Sequence, residues 1–191
     1  WIRKEAKKRG ADKIDVIIGG PPCQDFSSAG LRDGNGKRAD LTPVFAEMVS
    51  ALKPEWVLME NVNTIVTTGE HQLEKCINTL QKAGYGITTT ILNAVFFGVP
   101  QKRRRLFLIA RLGGMNEEML PFLKPDSTKP MTIRKFMPEL DIEYYYRHPR
   151  SYERRGIFSV DEPSMTVRGV NRPIPKNYKF HKDDTVKDLT K

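Results

Sequence analysis

Hydrophobic residues in the first 110 positions form two kinds of run: continuous stretches of strand length and stretches with helical spacing. The runs IDVIIGG, at 14–20, and WVLMEN, at 56–61, have the length expected of buried strands. Between them, over 43–52, apolar residues recur every three or four positions, which predicts a helix that a Lys-Pro pair ends. The same spacing over 70–83 predicts a second helix, ended by a glycine.

Two β-rich runs, ITTTILNAVFF and RRLFLIARL, follow the second predicted helix. The resulting order of strand, helix, strand, helix, strand and strand predicts an α/β sheet, mostly parallel, with helices on both faces. After about residue 113, prolines and charges become frequent and the hydrophobic periodicity fades. We therefore predict an α/β portion over 1–125 and an irregular segment with short strands over 126–191.

The charge balance adds information about partners. The chain has 191 residues, and its 32 Lys and Arg against 23 Asp and Glu give a formal net charge of +9, which favours a polyanionic partner such as nucleic acid. No apolar stretch approaches the ~18 residues of a membrane span, and the N-terminal residues lack the apolar core of a signal peptide. We therefore expect an intracellular, cytoplasmic protein without a membrane partner, associated with the nucleoid if it is bacterial.

Cysteine and histidine are too sparse in this sequence for a structural site. Cys23 and Cys76 cannot form a disulfide framework, and they lack the paired spacing of a zinc site. The three histidines are scattered, without a second ligand at helical or hairpin spacing. We therefore expect no metal.

Reactive side chains follow both predicted buried strands. Cys23 comes shortly after the first strand, and Glu60 lies at the end of the second. Because ligands of open α/β sheets bind beyond the carboxyl ends of the strands, both side chains would share one rim. A Cys thiolate is a nucleophile, and a carboxyl group held protonated at the end of an apolar run suits a general acid. The alternatives are that Cys23 is a small apolar residue closing a turn and that Glu60 points to solvent.

The run VPQKRRRLFLIA adds a third group of candidates. If a strand begins near Gln101, its two-residue period places Gln101, Arg103 and Arg105 on one face. A carboxamide and two guanidinium groups suit a phosphate or the carbonyl edge of a base, and the alternative is a solvated basic edge strand. Residues 27–40, rich in Gly, Ser and charge, are typical of a mobile lid.

Three motifs together resemble those of the cytosine-5 DNA methyltransferase family. They are GGPPCQDFSSAG, ENV and QKRRR, in that order. The segment from 131 is similar to the start of the family's target-recognition region. The resemblance to the catalytic part of the family covers about residues 14–110. It implies a partial Rossmann-like methyltransferase sheet with a β-rich recognition segment. The matched catalytic residues are Cys23, Glu60, Asn61, Gln101, Arg103 and Arg105, with Gln24, Phe26, Ser27 and Val62 completing the motifs.

The resemblance implies a covalent mechanism on a cytosine base. The Cys23 thiolate would attack carbon 6, and carbon 5 would then accept a methyl group from S-adenosylmethionine. A protonated Glu60 would contact ring nitrogen 3, and Arg105, with Arg103 as a second candidate, would hold the carbonyl oxygen at carbon 2. Asn61 would fix the exocyclic amine or the loop. Because this chemistry is impossible inside a duplex, the base would be flipped out of double-stranded DNA.

The same resemblance implies further contacts with DNA and with the cofactor. The lid would contact phosphates, and the recognition segment would contact base edges or phosphates, unless its polar residues are simply solvated. The expected DNA-binding residues are Gln24, Ser27, Arg32, Lys37, Arg38, Arg168, Asn171 and Arg172, and the expected cofactor contacts are Pro22 and Leu41.

The sequence also departs from the family pattern. The family's glycine-rich cofactor loop has no match before Ile14, and its closing motifs have no match after Lys191. We therefore expect either a middle portion of a longer enzyme or a subunit that needs a complementary methyltransferase chain. We also expect this chain alone to bind S-adenosylmethionine weakly.

Two other functions remain open from the sequence. A tRNA-methylating branch of the same enzyme class shares these motifs, and a non-catalytic DNA-binding module could keep the same scaffold. The combination of Cys23, Glu60 and Arg105 favours an enzyme, because binding alone requires none of the three together. The basic segment after residue 131 favours DNA over tRNA.

Overall fold

The computed structural model describes residues 2–10, 13–22, 41–149, 151, 153–167 and 172–188. The helices and strands predicted in the first 112 residues are confirmed, with ends that differ by a few positions, except that the strand expected from Gln101 is interrupted at Arg103. None of the described helices is long and apolar enough to cross a membrane. The helices are α1 (Ile2–Lys8), α2 (Leu41–Leu52), α3 (Glu70–Lys82) and α4 (Ile133–Phe136), and the strands are β1 (Val16–Gly19), β2 (Trp56–Val62), β3 (Tyr85–Asn93), β4 (Gln101–Lys102), β5 (Arg104–Leu112), β6 (Tyr144–Tyr146), β7 (Ile157–Ser159) and β8 (Ser164–Met165).

The chain divides into two compact units. The first comprises Trp1–Leu92 with Arg104–Lys124, and the second comprises Asn93–Arg103 with Pro125–Lys191. The second unit thus takes in residues 93–103, which the predicted boundary after residue 125 had left in the first.

Four of the described strands form the sheet of the first unit, in the order β1-β2-β5-β3. β1 pairs parallel with β2, whereas β5 runs antiparallel to β2. The predicted α/β class is confirmed, and the sheet is mixed. The link between β3 and β5 comprises only residues 94–103, which is shorter than the dozen or more residues that a crossover between parallel strands needs.

The hydrophobic core of the first unit lies on one face of this sheet. Burial alternates along β2, where Val57, Met59 and Asn61 are buried, and their partners in β5 are buried too. α2 and α3 both contribute to this core, so these two helices lie on the same face and not on opposite faces. Their buried core residues are Phe45, Ala46, Val49, Leu73, Cys76 and Leu80.

Backbone geometry accounts for the ends of both helices. Lys53, directly after α2, has a φ of 49° and precedes Pro54, and Gly84, which follows α3, has a φ of 94°. A residue at positive φ commonly ends a helix, and glycine adopts it without strain. Gly19 is required for another reason, since a Cβ atom there would lie 2.4 Å from Cε2 of Phe45 on α2.

The second unit is built from short strands and turns. β4 pairs parallel with β8, and β6 pairs antiparallel with β7. Ile157, Phe158 and Val160 are buried in this unit, and Tyr145 stacks on Phe158 with 5.5 Å between ring centroids.

A buried carboxylate fastens the end of the second unit to β7. Asp184 Oδ1 accepts hydrogen bonds from the N–H groups of Gly156 and Ile157, both at 2.9 Å. Its Oδ2 accepts from the Tyr178 hydroxyl at 2.8 Å and from the His181 N–H at 2.7 Å. Burial raises the pKa of Asp184, but these four donors together lower it by more, so the pKa lies below its ordinary value.

Candidate active site

Glu60 and Arg105 meet on the face of the sheet opposite the core. Arg105 on β5 lies diagonal to Glu60 on β2, because Glu60 pairs with Phe107, two residues further along β5. The Arg105 Nε forms an ion pair with Glu60 Oε1, with 2.9 Å between the two atoms and side-chain exposures of 20% and 38%. A second guanidinium nitrogen, Nη1, donates to the Arg104 carbonyl at 2.8 Å. The structure therefore brings these two predicted residues into direct contact.

The position of Glu60 differs from the expectation that the apolar run would bury it. Because β2 alternates with a period of two, Met59 and Asn61 point into the core and Glu60 points the other way. Glu60 is therefore partly exposed and paired with a cation.

The end of β1 lies beside Glu60. A Cβ atom added to Gly20 would lie 3.6 Å from the Glu60 carbonyl oxygen and 3.9 Å from its Oε2. This proximity follows from the parallel pairing of β1 and β2, whose carboxyl ends lie at the same edge. Gly20 begins the GPPC segment that leads to Cys23, and Cys23 itself lies outside the described residues.

Asn61 is buried and contacts the segment that follows β1. Its side chain is 1% exposed; Nδ2 donates to the Pro21 carbonyl at 3.5 Å, and Oδ1 accepts from the Val62 N–H at 2.8 Å. Asn61 therefore links the end of β2 to the segment after β1.

The Gln-x-Arg-x-Arg motif does not form one continuous strand, so the prediction of a single strand from Gln101 is wrong. The Arg103 N–H donates to the Gln101 carbonyl at 2.8 Å, and the Gln101 N–H donates to the Val99 carbonyl at 2.8 Å. Hydrogen bonds that span two residues mark tight turns, which interrupt extended backbone. Gln101 and Arg103 consequently belong to the second unit, and Arg105 belongs to the first.

The remaining predicted site residues are exposed or lie outside the described residues. Pro22 is exposed, Leu41 begins α2 with 38% exposure, and Arg172 is exposed in irregular backbone. Residues predicted for the site but outside the described ranges are Cys23, Gln24, Phe26, Ser27, Arg32, Lys37, Arg38, Arg168 and Asn171.

The second cysteine is unsuited to nucleophilic chemistry. Cys76 is fully buried in the core, and burial raises the pKa of its thiol to about 12. Within the described ranges, His, Cys, Asp and Glu form no group of three or more that could hold a metal ion.

Sequence reasoning missed the contacts that hold β4. Lys102, inside the third motif, pairs with Glu162, and its carbonyl accepts from Thr166. These partners are 60 and 64 positions away, and no periodicity or motif signals such a pairing.

Comparison with known proteins identifies the family. The sequence model of the C-5 cytosine-specific DNA methylase family matches residues 2–188. This chain belongs to that family. The Type II methyltransferase M.HindV of Haemophilus influenzae is 50% identical over 185 residues, and M.HgiDI of Herpetosiphon aurantiacus is 49% identical over 172 residues. These alignments cover 93% and 89% of this chain but 60% and 55% of the relatives, so the chain spans a little over half their length.

Solved structures of methyltransferases share the fold. A prophage-encoded DNA modification methyltransferase of Escherichia coli superimposes with a TM-score of 0.55 at 27% identity, over 78% of this chain and 39% of that one. The Entamoeba histolytica methyltransferase EhMeth, at 21% identity, gives a TM-score of 0.53 over 76% of this chain and 44% of that one. The predicted partial Rossmann-like methyltransferase fold is thereby confirmed.

Proposed function

We propose that this chain is the central catalytic portion of a DNA (cytosine-5-)-methyltransferase of the Type II restriction-modification class. The enzyme transfers a methyl group from S-adenosylmethionine to carbon 5 of a cytosine in double-stranded DNA. The observation that carries the proposal is the contact between Glu60 and Arg105 beside Gly20, at the start of the segment that leads to Cys23. Membership of the family and the names of the relatives support it.

The first step is attack of the Cys23 thiolate on carbon 6 of a flipped cytosine. The new sulfur–carbon bond moves an electron pair onto the ring, toward nitrogen 3 and the carbonyl oxygen at carbon 2. These two atoms are separated only by carbon 2, so a carboxyl and a guanidinium group held 2.9 Å apart suit both at once. Protonated Glu60 donates to nitrogen 3, and Arg105 donates to the carbonyl oxygen.

The second step completes the substitution at carbon 5. When bound, S-adenosylmethionine supplies the methyl group that carbon 5 receives. A water-mediated base then removes the proton from carbon 5, and the Cys23–carbon 6 bond breaks with its electron pair returning to sulfur as thiolate. Nitrogen 3 gives its proton back to Glu60. Asn61 keeps the Cys23 segment in place through its bond to the Pro21 carbonyl.

The described residues fit the cofactor only in part. Pro22 and Leu41 are exposed and can pack against an apolar surface, but their side chains offer no polar group to a ribose or a carboxylate. We therefore propose that a complementary methyltransferase segment supplies the polar cofactor contacts, in the same polypeptide or as a separate chain. Two features agree with this: β1 lies at the edge of the described sheet, and Val16 and Ile18 on it are 51% and 73% exposed.

The positive charge of the chain supports the proposal that it binds DNA. The chain carries a net charge of +9, and exposed cations occur throughout the second unit. Lid residues Arg32 and Arg38 and recognition-segment residues Arg168, Asn171 and Arg172 are the proposed contacts to phosphates and base edges. The exposed cations of the second unit described by the structure include Arg154, Arg172, Lys176, Lys179 and Lys182.

A covalent trapping experiment tests the proposal. The enzyme is completed by replacing the matched segment of M.HindV with this chain, since 50% identity over 93% of the chain makes the exchange compatible. Duplex DNA from a random-sequence pool and tRNA, each carrying 5-fluorocytosine, are incubated with this completed enzyme and S-adenosylmethionine. Fluorine blocks loss of the substituent at carbon 5, so the Cys23 adduct accumulates.

We expect a denaturation-resistant adduct with DNA and none with tRNA, and Cys23→Ala should abolish it. Cys76→Ala is the matched control and should leave adduct formation intact. An adduct with tRNA alone would establish the tRNA-methylating alternative. DNA binding without an adduct would establish the non-catalytic module.

A further inference from the structure

The short strand β4 carries the first two of the five residues of the third motif but has little regular pairing of its own. Its ladder with β8 has two residue pairs, Gln101 with Ser164 and Lys102 with Met165. Side chains alternate along a strand, so a slip by one residue would turn Gln101 to the opposite face. Two pairs alone specify such a register weakly, which means that other contacts must fix it.

Thr166 supplies one of these contacts. Its Oγ1 donates to the Lys102 carbonyl at 2.9 Å, directly after the last pair of the ladder. Thr166 is itself held, because the Arg147 Nη2 donates to its carbonyl at 3.0 Å. At the other end of the ladder, the Ser164 N–H donates to the Pro100 carbonyl at 2.8 Å. β4 is thus fastened to the segment around β8 at both ends.

Glu162 supplies the second contact. Its Oε2 lies 3.5 Å from Lys102 Nζ, and it accepts from the Arg155 Nη1 at 3.2 Å. Its Oε1 accepts from the Arg155 Nη2 and from the Ser159 N–H. Glu162 and Arg155 side chains are both 24% exposed, so this carboxylate is held in a partly buried, bidentate geometry before it reaches Lys102.

We propose that Thr166 and Glu162 are positioning residues for methyl transfer. They set the register of β4 on β8 and thereby aim the Gln101 and Arg103 side chains, which the motif match predicts to be catalytic residues. The recognition segment thus orients part of the catalytic machinery as well as contacting DNA. A displacement of about 1 Å in a reacting group is enough to cost about 100-fold in rate. This inference rests on the proposed function.

Kinetics of the completed enzyme test the proposal with nearly isosteric changes. Thr166→Val removes the hydroxyl donor at almost constant volume, and Thr166→Ser keeps it. Glu162→Gln removes the charge that attracts Lys102 and keeps the size of the side chain. Asp161→Asn is the matched control, because Asp161 is the adjacent carboxylate and pairs with Arg134, 2.6 Å away, instead of Lys102.

Two quantities are measured for each variant: the rate of adduct formation on 5-fluorocytosine duplex DNA and the Kd for the same duplex without fluorine. We expect Thr166→Val and Glu162→Gln to slow adduct formation by about 10- to 100-fold with Kd changed by less than about threefold. Thr166→Ser and Asp161→Asn should keep both quantities within about threefold. A merely structural role would move the Kd and the rate together.

Each other outcome overturns the inference. Unchanged adduct rates in Thr166→Val and Glu162→Gln would show that the register of β4 does not depend on these two contacts. An equal loss of adduct rate in Asp161→Asn would show a general effect on the second unit. If Glu162→Gln does not fold, the comparison of Thr166→Val with Thr166→Ser decides alone. An unsubstituted enzyme that traps no DNA would overturn the proposed function itself, and trapping at the unsubstituted rate by every variant would overturn only the positioning role.

Discussion

The ion pair of Glu60 and Arg105 contributes differently to stability and to chemistry. Its members are 38% and 20% exposed, and ion pairs open to solvent stabilise a fold by about 0–1 kcal/mol. A buried polar group such as Asn61 matters more for folding, because its loss leaves the groups it bonds to without a partner. We therefore infer that Glu60 and Arg105 serve the reaction, whereas Asn61 serves the architecture that presents them.

Replacing Glu60 should separate these two contributions. In the completed enzyme, Glu60→Gln is expected to lower the rate of adduct formation by about 100-fold or more, because an amide cannot supply the proton to nitrogen 3. The free energy of unfolding should change by less than about 1 kcal/mol, measured by urea denaturation.

Glu5→Gln provides the matched control for this change. Glu5 also pairs with cations, Lys8 at 3.7 Å and Arg9 at 3.4 Å, but it lies on α1. Its replacement should leave the adduct rate unaltered. A Glu60→Gln enzyme that reacts within about threefold of the wild-type rate would remove Glu60 from the mechanism.

At the scale of elements, hydrophobic periodicity predicts the strands and helices of the first 112 residues because burial on one face imposes it. The same periodicity decides between the two alternatives for Glu60: Glu60 follows an apolar run, but alternation along β2 buries its neighbours Met59 and Asn61 instead. The break at Arg103 was not predictable, because it depends on backbone turns. Contacts such as Lys102 with Glu162 join positions 60 apart, and a single sequence carries no signal for them.

The packing of β1 against α2 gives a stability prediction at this scale. A Cβ atom on Gly19 would lie 2.4 Å from Cε2 of Phe45, a side chain that is 8% exposed and has little room to move. Gly19→Ala should therefore lower the free energy of unfolding by about 1–3 kcal/mol, measured by urea denaturation. Gly20→Ala is the matched control, since its nearest atoms lie at 3.6 Å, an ordinary contact distance.

A second substitution shows whether the contact with Phe45 causes the loss of stability in Gly19→Ala. In a Phe45→Leu background the ring is gone, so Gly19→Ala should cost at least about 0.5 kcal/mol less than in the wild type. Equal costs in both backgrounds would assign the effect to the strand backbone and not to the contact with α2.

The Asp184 network gives a pH-dependent prediction for the second unit. Because its pKa is depressed in the folded state, the carboxylate stabilises the fold above the ordinary Asp pKa of about 3.9, and this contribution is lost as the pH falls below that value. Asp184→Asn should cost about 1–3 kcal/mol at pH 7, and its difference from wild type should shrink as the pH falls below about 3.9. Urea unfolding followed by tyrosine fluorescence measures this.

The adjacent acid gives the control for this prediction. Asp183 is 63% exposed and pairs with His181 at 3.6 Å, so Asp183→Asn should behave as wild type at each pH. A cost of Asp184→Asn that stays constant from pH 7 to pH 3 would mean that the ionised form of Asp184 is not what fastens this segment.

At the scale of the whole molecule, the chain presents the proposed catalytic side chains Glu60 and Arg105 on a sheet whose β1 edge and outer face are partly open. The relatives are longer, since this chain covers 60% and 55% of them, and the exposed Val16 and Ile18 mark where a further segment can pack. The third motif is divided between the two compact units, and we propose that catalysis requires its residues from both, together with a cofactor-binding segment. Cofactor affinity is the simplest measure of this requirement.

We expect this chain alone to bind S-adenosylmethionine more weakly than about 1 mM. Pro22 and Leu41 can each bury at most about 50 Å² against the cofactor, and at about 25 cal/mol per Å² this gives roughly 2.5 kcal/mol. A Kd of 1 mM already needs about 4 kcal/mol, so two apolar contacts do not reach it. Isothermal titration calorimetry of the chain, and of the completed enzyme as control, measures the difference. Micromolar binding by the chain alone would mean that its own residues hold the polar groups of the cofactor, and the complementary segment would then be unnecessary for binding.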